Sequence, residues 1–196
     1  MGSRALDIAG VDFQVGDHVC AFYNGGGSAL DDIVVDYVSR GLRAGNKCAC
    51  LSFTNTASSV LDRIPLELMS REDILQFITE NQVKGGFSIE AGLRMLEAMA
   101  KEALSDGYGR LWTLGDATFV ARDLPPRSMK TWFTYEAEVN ELASQYPQFI
   151  MCLYDLDLFD GEAVMYVLQT HPKIFVNGMI ITNPRYIPRQ QFLGSP

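Results

Sequence analysis

Apolar and polar positions are arranged in blocks along this chain, with short unbroken apolar runs separated by longer stretches in which apolar residues recur every three or four positions. The first run, His18–Tyr23 (HVCAFY), stops at Asn24-Gly25-Gly26-Gly27, as a buried strand stops at a turn. From Ser28, the residues Leu30, Ile33, Val34, Tyr37, Val38 and Leu42 fall on one helical face, with Ser28 and Asp31 placed as a capping box and Gly45 as the stop. Residues 47–53 (KCACLSF) predict a second strand, residues 56–63 a short helix ended by Pro65, and residues 74–79 a third β-rich run. Residues 88–105 predict a long amphipathic helix with Ile89, Leu93, Leu96 and Ala100 on one face. A strand over 110–114, a helix over 128–144, a strand over 148–154 and a helix over 161–170 complete the main series. Two short β-rich runs, 174–176 and 179–181, close it and are placed to pair as an antiparallel hairpin at a sheet edge.

Strands alternating with helices in this way predict an α/β fold: a mainly parallel sheet sandwiched by helices in three layers, with right-handed crossovers. In such folds ligands bind outside the carboxyl ends of the strands. The loops after Tyr23, Phe53, Leu114 and Tyr154 are therefore the expected site.

Composition narrows the function. With 47% hydrophobic and 20% charged residues in 196, the chain can bury one sizeable core. A net charge of -8 argues against direct nucleic-acid binding through phosphates. No stretch approaches the roughly 20 apolar residues of a membrane span, and the start lacks an apolar signal core, so a cytoplasmic location without membrane contact is expected. Of four cysteines, Cys20, Cys48, Cys50 and Cys152, three lie in apolar strand-like runs, which speaks against a disulfide framework.

The loops carry the candidate chemistry. Asn24, Gly25, Gly26 and Gly27 lead into a helix, so their backbone N–H groups either face an anion or serve only a tight turn. No Gly-Lys-Ser/Thr occurs, so a Walker A loop is excluded, and Asp31 and Asp32 in the helix's first turn would repel a triphosphate. Asp116 follows the strand at 110–114, where either a magnesium-binding carboxylate or a turn cap belongs. Asp155, with Asp157 and Asp160, reads as a solvated acidic loop in preference to a cation site. Glu136 lies within about 40° of the apolar face formed by Trp132, Tyr135, Val139 and Leu142, hence half-buried and in need of an arginine, a tyrosine hydroxyl or a ligand. The two histidines, His18 and His171, offer a transition-metal set with Cys20 and Cys152. Against that stand the closeness of Cys20 to His18, the lack of CxxC pairs and the apolar neighbours of both cysteines, so structural roles are preferred and neither metal nor cofactor is expected. For want of an orienting group, a catalytic Cys-His pair is not expected either. Aromatic residues near the strand ends, among them Phe22, Tyr23, Phe53, Trp112 and Tyr154, suit a pocket for an apolar or planar ligand.

Taken in order, HVCAFY, GLRAGNKC (41–48), YEAEVN (135–140), CLYD (152–155) and THP (170–172) resemble the MEDS domain, the sensory domain of methanogen and methylotroph DcmR-like regulators. The resemblance covers residues 10–192, as one domain between tails at 1–9 and 193–196. It implies a fold related to RecA/KaiC-type P-loop proteins without a Walker A, a role in sensing hydrocarbon derivatives, and partners of the DNA-binding, histidine-kinase or anti-sigma-like class. The pattern positions it carries over are His18, Cys20, Tyr23, Glu136, Cys152, Tyr154, Asp155 and His171.

Three functions follow as expectations. The leading one is a non-catalytic sensory domain that binds a small-molecule ligand and biases a regulatory protein partner. The others are a degenerate nucleotide-binding domain or weak ATPase, and a ligand-free interaction module. A homodimer is compatible with all three.

Overall fold

The computed structural model of the protein describes residues 13–25, 27–51, 57–69, 75–78, 88–123, 129–176 and 178–194. In chain order the elements are β1 (His18–Tyr23), α1 (Ser28–Arg43), β2 (Lys47–Leu51), α2 (Ala57–Leu61), a 3-10 turn (Leu66–Leu68), β3 (Leu75–Ile78), α3 (Ile89–Ser105), β4 (Leu111–Asp116), α4 (Thr118–Asp123), α5 (Met129–Gln145), β5 (Gln148–Asp155), α6 (Gly161–Thr170), β6 (Lys173–Val176), β7 (Met179–Thr182) and α7 (Arg189–Leu193). The strands form one seven-stranded sheet in the order β3-β2-β4-β5-β1-β6-β7. All pairings are parallel except β6 with β7, which form the expected edge hairpin.

The central strands are buried on both faces, and the alternation of their side chains sorts residues between two helical layers. Val19, Ala21, Cys48, Trp112, Phe149 and Met151 pack with Ile33, Val34, Tyr37 and Val38 of α1. On the other face Cys20, Ile150, Cys152 and Tyr154 pack with Trp132, Phe133, Tyr135 and Val139 of α5 and with Ala163 and Val167 of α6. Two glycines let helices approach closely. A Cβ on Gly41 would lie 2.5 Å from Cys48 Sγ, and one on Gly92 would lie 2.8 Å from Tyr135 Cε2. Lys47 opens β2 fully buried, its ammonium held by Glu102 at 2.7 Å and Asp106 at 2.8 Å, both on or just past α3.

Several expectations are corrected. α1 has no capping box: Gly27, at φ 74, is its N-cap, no side chain caps it, and Ser28 is already helical. The hydroxyl of Ser88 does cap α3, accepting from Ala91 N. Strand β4 runs two residues further than expected, so Asp116 ends the strand, and the short helices α4 and α7 were not foreseen. Phe53 and Gly26 lie outside the described residues.

Candidate functional site

The residues singled out in the sequence separate into two groups, one on each face of the sheet. The first is at the carboxyl ends of the strands, beside the start of α1. Asp116 Oδ1 accepts hydrogen bonds from Thr118 Oγ1 at 2.7 Å, Thr118 N at 3.1 Å and Tyr23 Oη at 3.3 Å. Burial raises the Asp116 carboxyl above its ordinary pKa, and these hydrogen bonds offset part of that rise. Asp155 pairs in register with Tyr23 and is buried, not solvated as expected. Its Oδ1 accepts from Gly25 N at 3.3 Å and Asp157 N at 3.0 Å, while Asn24 Nδ2 donates to Asp157 at 3.3 Å. A carboxylate thus already occupies part of the backbone N–H cradle that a phosphate would need, and like charge would oppose a phosphate there. Asp160 is drawn away from this acidic group to cap α6, accepting from Ala163 N at 2.9 Å.

The second group is buried between the sheet and α5–α6. It comprises His18 from β1, Cys152 and Tyr154 from β5, Glu136 from α5, and His171 immediately after α6. Register explains the meeting: His18 lies opposite Ile150 and Cys20 opposite Cys152, so His18, Cys152 and Tyr154 share the sheet face that α5 covers. Glu136 belongs to the covered face of α5, as its helical phase indicated, but it is wholly buried where half-burial was expected. The tyrosine partner foreseen for it exists: Tyr154 Oη donates to Glu136 Oε1 at 2.9 Å. The other oxygen, Oε2, faces His18 Nε2 at 3.2 Å, His171 Nε2 at 3.6 Å and Cys152 Sγ at 3.8 Å. Cys152 Sγ lies 3.5 Å from His18 Nε2, and the imidazole centroids are 4.2 Å apart. Cys20 stands apart from this group, its thiol turned to the Lys173 carbonyl at 3.7 Å.

Both rings are oriented from behind. His18 Nδ1 lies 2.9 Å from Asn140 Oδ1. The Asn140 amide is itself fixed, because its Nδ2 donates to the carbonyls of Thr170 at 2.9 Å and Ala137 at 3.3 Å. His171 Nδ1 lies 2.8 Å from the Val167 carbonyl, which can only accept, so that nitrogen carries the proton. Burial, with the neighbouring His18, keeps the His171 pKa well below its ordinary value, so the ring is neutral. Its Nε2 therefore offers a lone pair, and among the described residues no hydrogen-bond donor reaches that atom. Burial, with the neighbouring carboxyl, pushes the Cys152 thiol well up, so as it stands the sulfur is no nucleophile.

Asn140, which orients His18, is a member of the candidate site that sequence reasoning missed, although YEAEVN ends on it; its place one helical turn after Glu136 was the available signal. One objection to a His/Cys set, the closeness of Cys20 to His18, does not bear on Cys152, whose sulfur is the one brought to His18. The four donor atoms of His18, Glu136, Cys152 and His171 all lie within 4.8 Å of one another.

Among known proteins, the chain is 26% identical over 168 residues to the transcriptional repressor DcmR of Methylorubrum extorquens, an alignment covering 84% of this chain and 61% of that protein's length. In fold it is similar to a KaiC-like protein from the hyperthermophilic archaeon Pyrococcus horikoshii, with a TM-score of 0.55 and 13% identity over 83% of this chain and 71% of the other. That likeness agrees with the seven-stranded, mostly parallel sheet and its two helical layers. The profile of the MEthanogen/methylotroph, DcmR Sensory domain matches residues 17–172, a span that opens one residue before His18 and closes one residue after His171. The chain belongs to this family, the MEDS sensory domains.

Proposed function

We propose that this chain is a cytoplasmic, non-catalytic sensory domain in which a small, largely apolar ligand alters the seating of α5 and α6 and so biases a regulatory protein partner. One observation carries the reading: the same two helices meet the sheet through a polar joint and present a cleft on their outer side. The cleft measures about 440 Å³ and is lined by Phe133, Tyr166, Ile187 and Phe192, with Lys130 and Glu162 as charged members. Its size falls within the range of small-molecule sites, and its aromatic and aliphatic walls suit the apolar body of a ligand, with Lys130, Thr134, Glu162 and Gln169 as the polar members that would orient it. Helix α7 borders it, tied to α5 by the Arg189–Glu138 pair at 2.6 and 2.7 Å. A ligand wedged there would act on Glu136 and His171 through one helix thickness. It could shift the domain between states only by the difference of its affinities for them. The relative named as a transcriptional repressor supports a DNA-binding module as the partner, with histidine-kinase and anti-sigma-like modules as the other classes.

The test is a thermal-shift titration with small halogenated, aromatic and methylated compounds and with ATP-Mg, accompanied by chromatography for products. Saturable stabilisation by an apolar compound, without product and abolished by Phe192→Ala, is the expected result. Stabilisation by ATP-Mg alone would overturn the proposal in favour of a degenerate nucleotide-binding domain.

A further inference from the structure

We infer that His18 Nε2, His171 Nε2, Cys152 Sγ and Glu136 Oε2 bind one divalent transition-metal ion of the zinc type. The inference concerns the joint beneath α5 and α6, not the outer cleft, and it stands whether or not the cleft takes a ligand.

The spacing of the donors is the first ground. With metal–nitrogen and metal–oxygen bonds of about 2.0–2.1 Å and a metal–sulfur bond of about 2.3 Å, a tetrahedral site has edges of about 3.4 Å between nitrogen and oxygen and about 3.6 Å to sulfur. The observed edges are 3.2 Å and 3.6 Å from the two imidazoles to the carboxyl, 3.5 Å from His18 to the sulfur and 3.8 Å from the carboxyl to the sulfur. Four of the six edges thus approach tetrahedral values, and the remaining two, from His171 Nε2 to His18 Nε2 and to Cys152 Sγ, lie within 4.8 Å and would close on binding. Nitrogen, sulfur and oxygen donors in one set suit a borderline ion such as zinc or cobalt, rather than magnesium or calcium.

Orientation is the second ground. Histidines that ligate metals donate their other ring nitrogen to a carbonyl or carboxamide, which fixes the inward lone pair. Both rings have that support here, from Asn140 and from the Val167 carbonyl. Tyr154 engages one oxygen of Glu136 and leaves the other for the centre.

Electrostatics is the third. His171 Nε2 is buried, without a donor among the described residues, and faces a carboxyl oxygen at 3.6 Å. Two acceptor atoms facing each other in a dry interior leave both lone pairs unsatisfied, and a cation between them would satisfy both. Binding replaces the sulfur–hydrogen bond of Cys152 with a sulfur–metal bond and releases the proton to solvent, with no change of oxidation state. Four protein ligands leave no open position, which makes the site structural unless an effector displaces one of them.

The test uses the full chain, unfolded in chelator, refolded without metal and titrated with cobalt(II) and then zinc(II). One cobalt per chain, tetrahedral visible bands and a near-ultraviolet thiolate-to-cobalt band are expected, together with one proton released at the thiol. Zinc should bleach the cobalt spectrum. Cys152→Ala should remove the thiolate band although Cys20, Cys48 and Cys50 remain, and Asn140→Ala should weaken zinc binding by about 10–100-fold, as loss of an outer-sphere support does. Should a variant fail to fold, the spectrum of the unaltered chain still decides. A chain that folds with less than a tenth of an equivalent of metal, or gives only octahedral cobalt bands, overturns the inference. A thiolate band that survives Cys152→Ala in a folded protein does the same.

Discussion

At the scale of single residues, the strand-end carboxyl of Asp116 has a measurable signature. Its pKa is raised by burial, so between the ordinary aspartate value and the raised one the folded chain holds a proton that the unfolded chain has lost. Stability contributed by this group is therefore full at low pH and is lost as pH rises through the folded pKa; above it the charged form carries a constant penalty. Asp116→Asn keeps an oxygen for Tyr23 and Thr118 to donate to and removes the charge. The variant is expected to be more stable than the parent at neutral pH, with the gap closing as the solution is acidified. Urea midpoints measured across the acid range check this, and a gap independent of pH would refute it. The same scale marks the limit of what the sequence discloses. The position of Glu136 was legible because helical phase is a local property, and a tyrosine hydroxyl was among the partners foreseen for it. The convergence of His18, Cys152 and His171 was not, because it depends on the β1–β5 register and on where α6 delivers its last turn, neither of which is encoded near any one of the three.

At the scale of elements, most helices and strands were readable because apolar spacing and Gly/Pro punctuation act within a few residues. The exceptions have physical causes. α4 and α7 span 6 and 5 residues, too short for a helical period to be distinguished from a turn. The start of α1 was misjudged because Ser28, though a favoured capping residue, follows a glycine already in the left-handed conformation that ends the turn. What sequence cannot report is the closeness of packing between elements, and Gly92 illustrates it. On an exposed helix Gly→Ala gains about 1 kcal/mol. Here the new methyl would sit 2.8 Å from the Tyr135 ring, which is buried and held against Trp132 at a centroid distance of 5.2 Å. Overpacking of this kind costs about 1–3 kcal/mol, so Gly92→Ala is expected to destabilise the protein. Pairing it with Tyr135→Leu should give a strongly non-additive double-mutant cycle in chemical denaturation. Additive effects would mean that α3 and α5 are not in close contact.

At the scale of the whole molecule, β1 is the most deeply embedded strand in terms of chain order. It comes first in sequence, yet its neighbours on both sides, β5 and β6, come from the last third of the chain. Deleting the chain beyond residue 147 removes both neighbours while leaving β2, β3 and β4 able to pair. Such a fragment is expected to lack a cooperative urea transition and to be cleaved by protease first near 18–23. A fragment that unfolds cooperatively would show that β1 is dispensable to the sheet. During synthesis the same arrangement imposes a delay. His18–Tyr23 leaves the ribosome more than a hundred residues ahead of Gln148–Asp155, which at about 5–20 residues per second is a wait of several seconds to tens of seconds. For that interval an apolar segment with two open edges is exposed to other nascent chains, and its protection falls to chaperones until the last third of the polypeptide arrives.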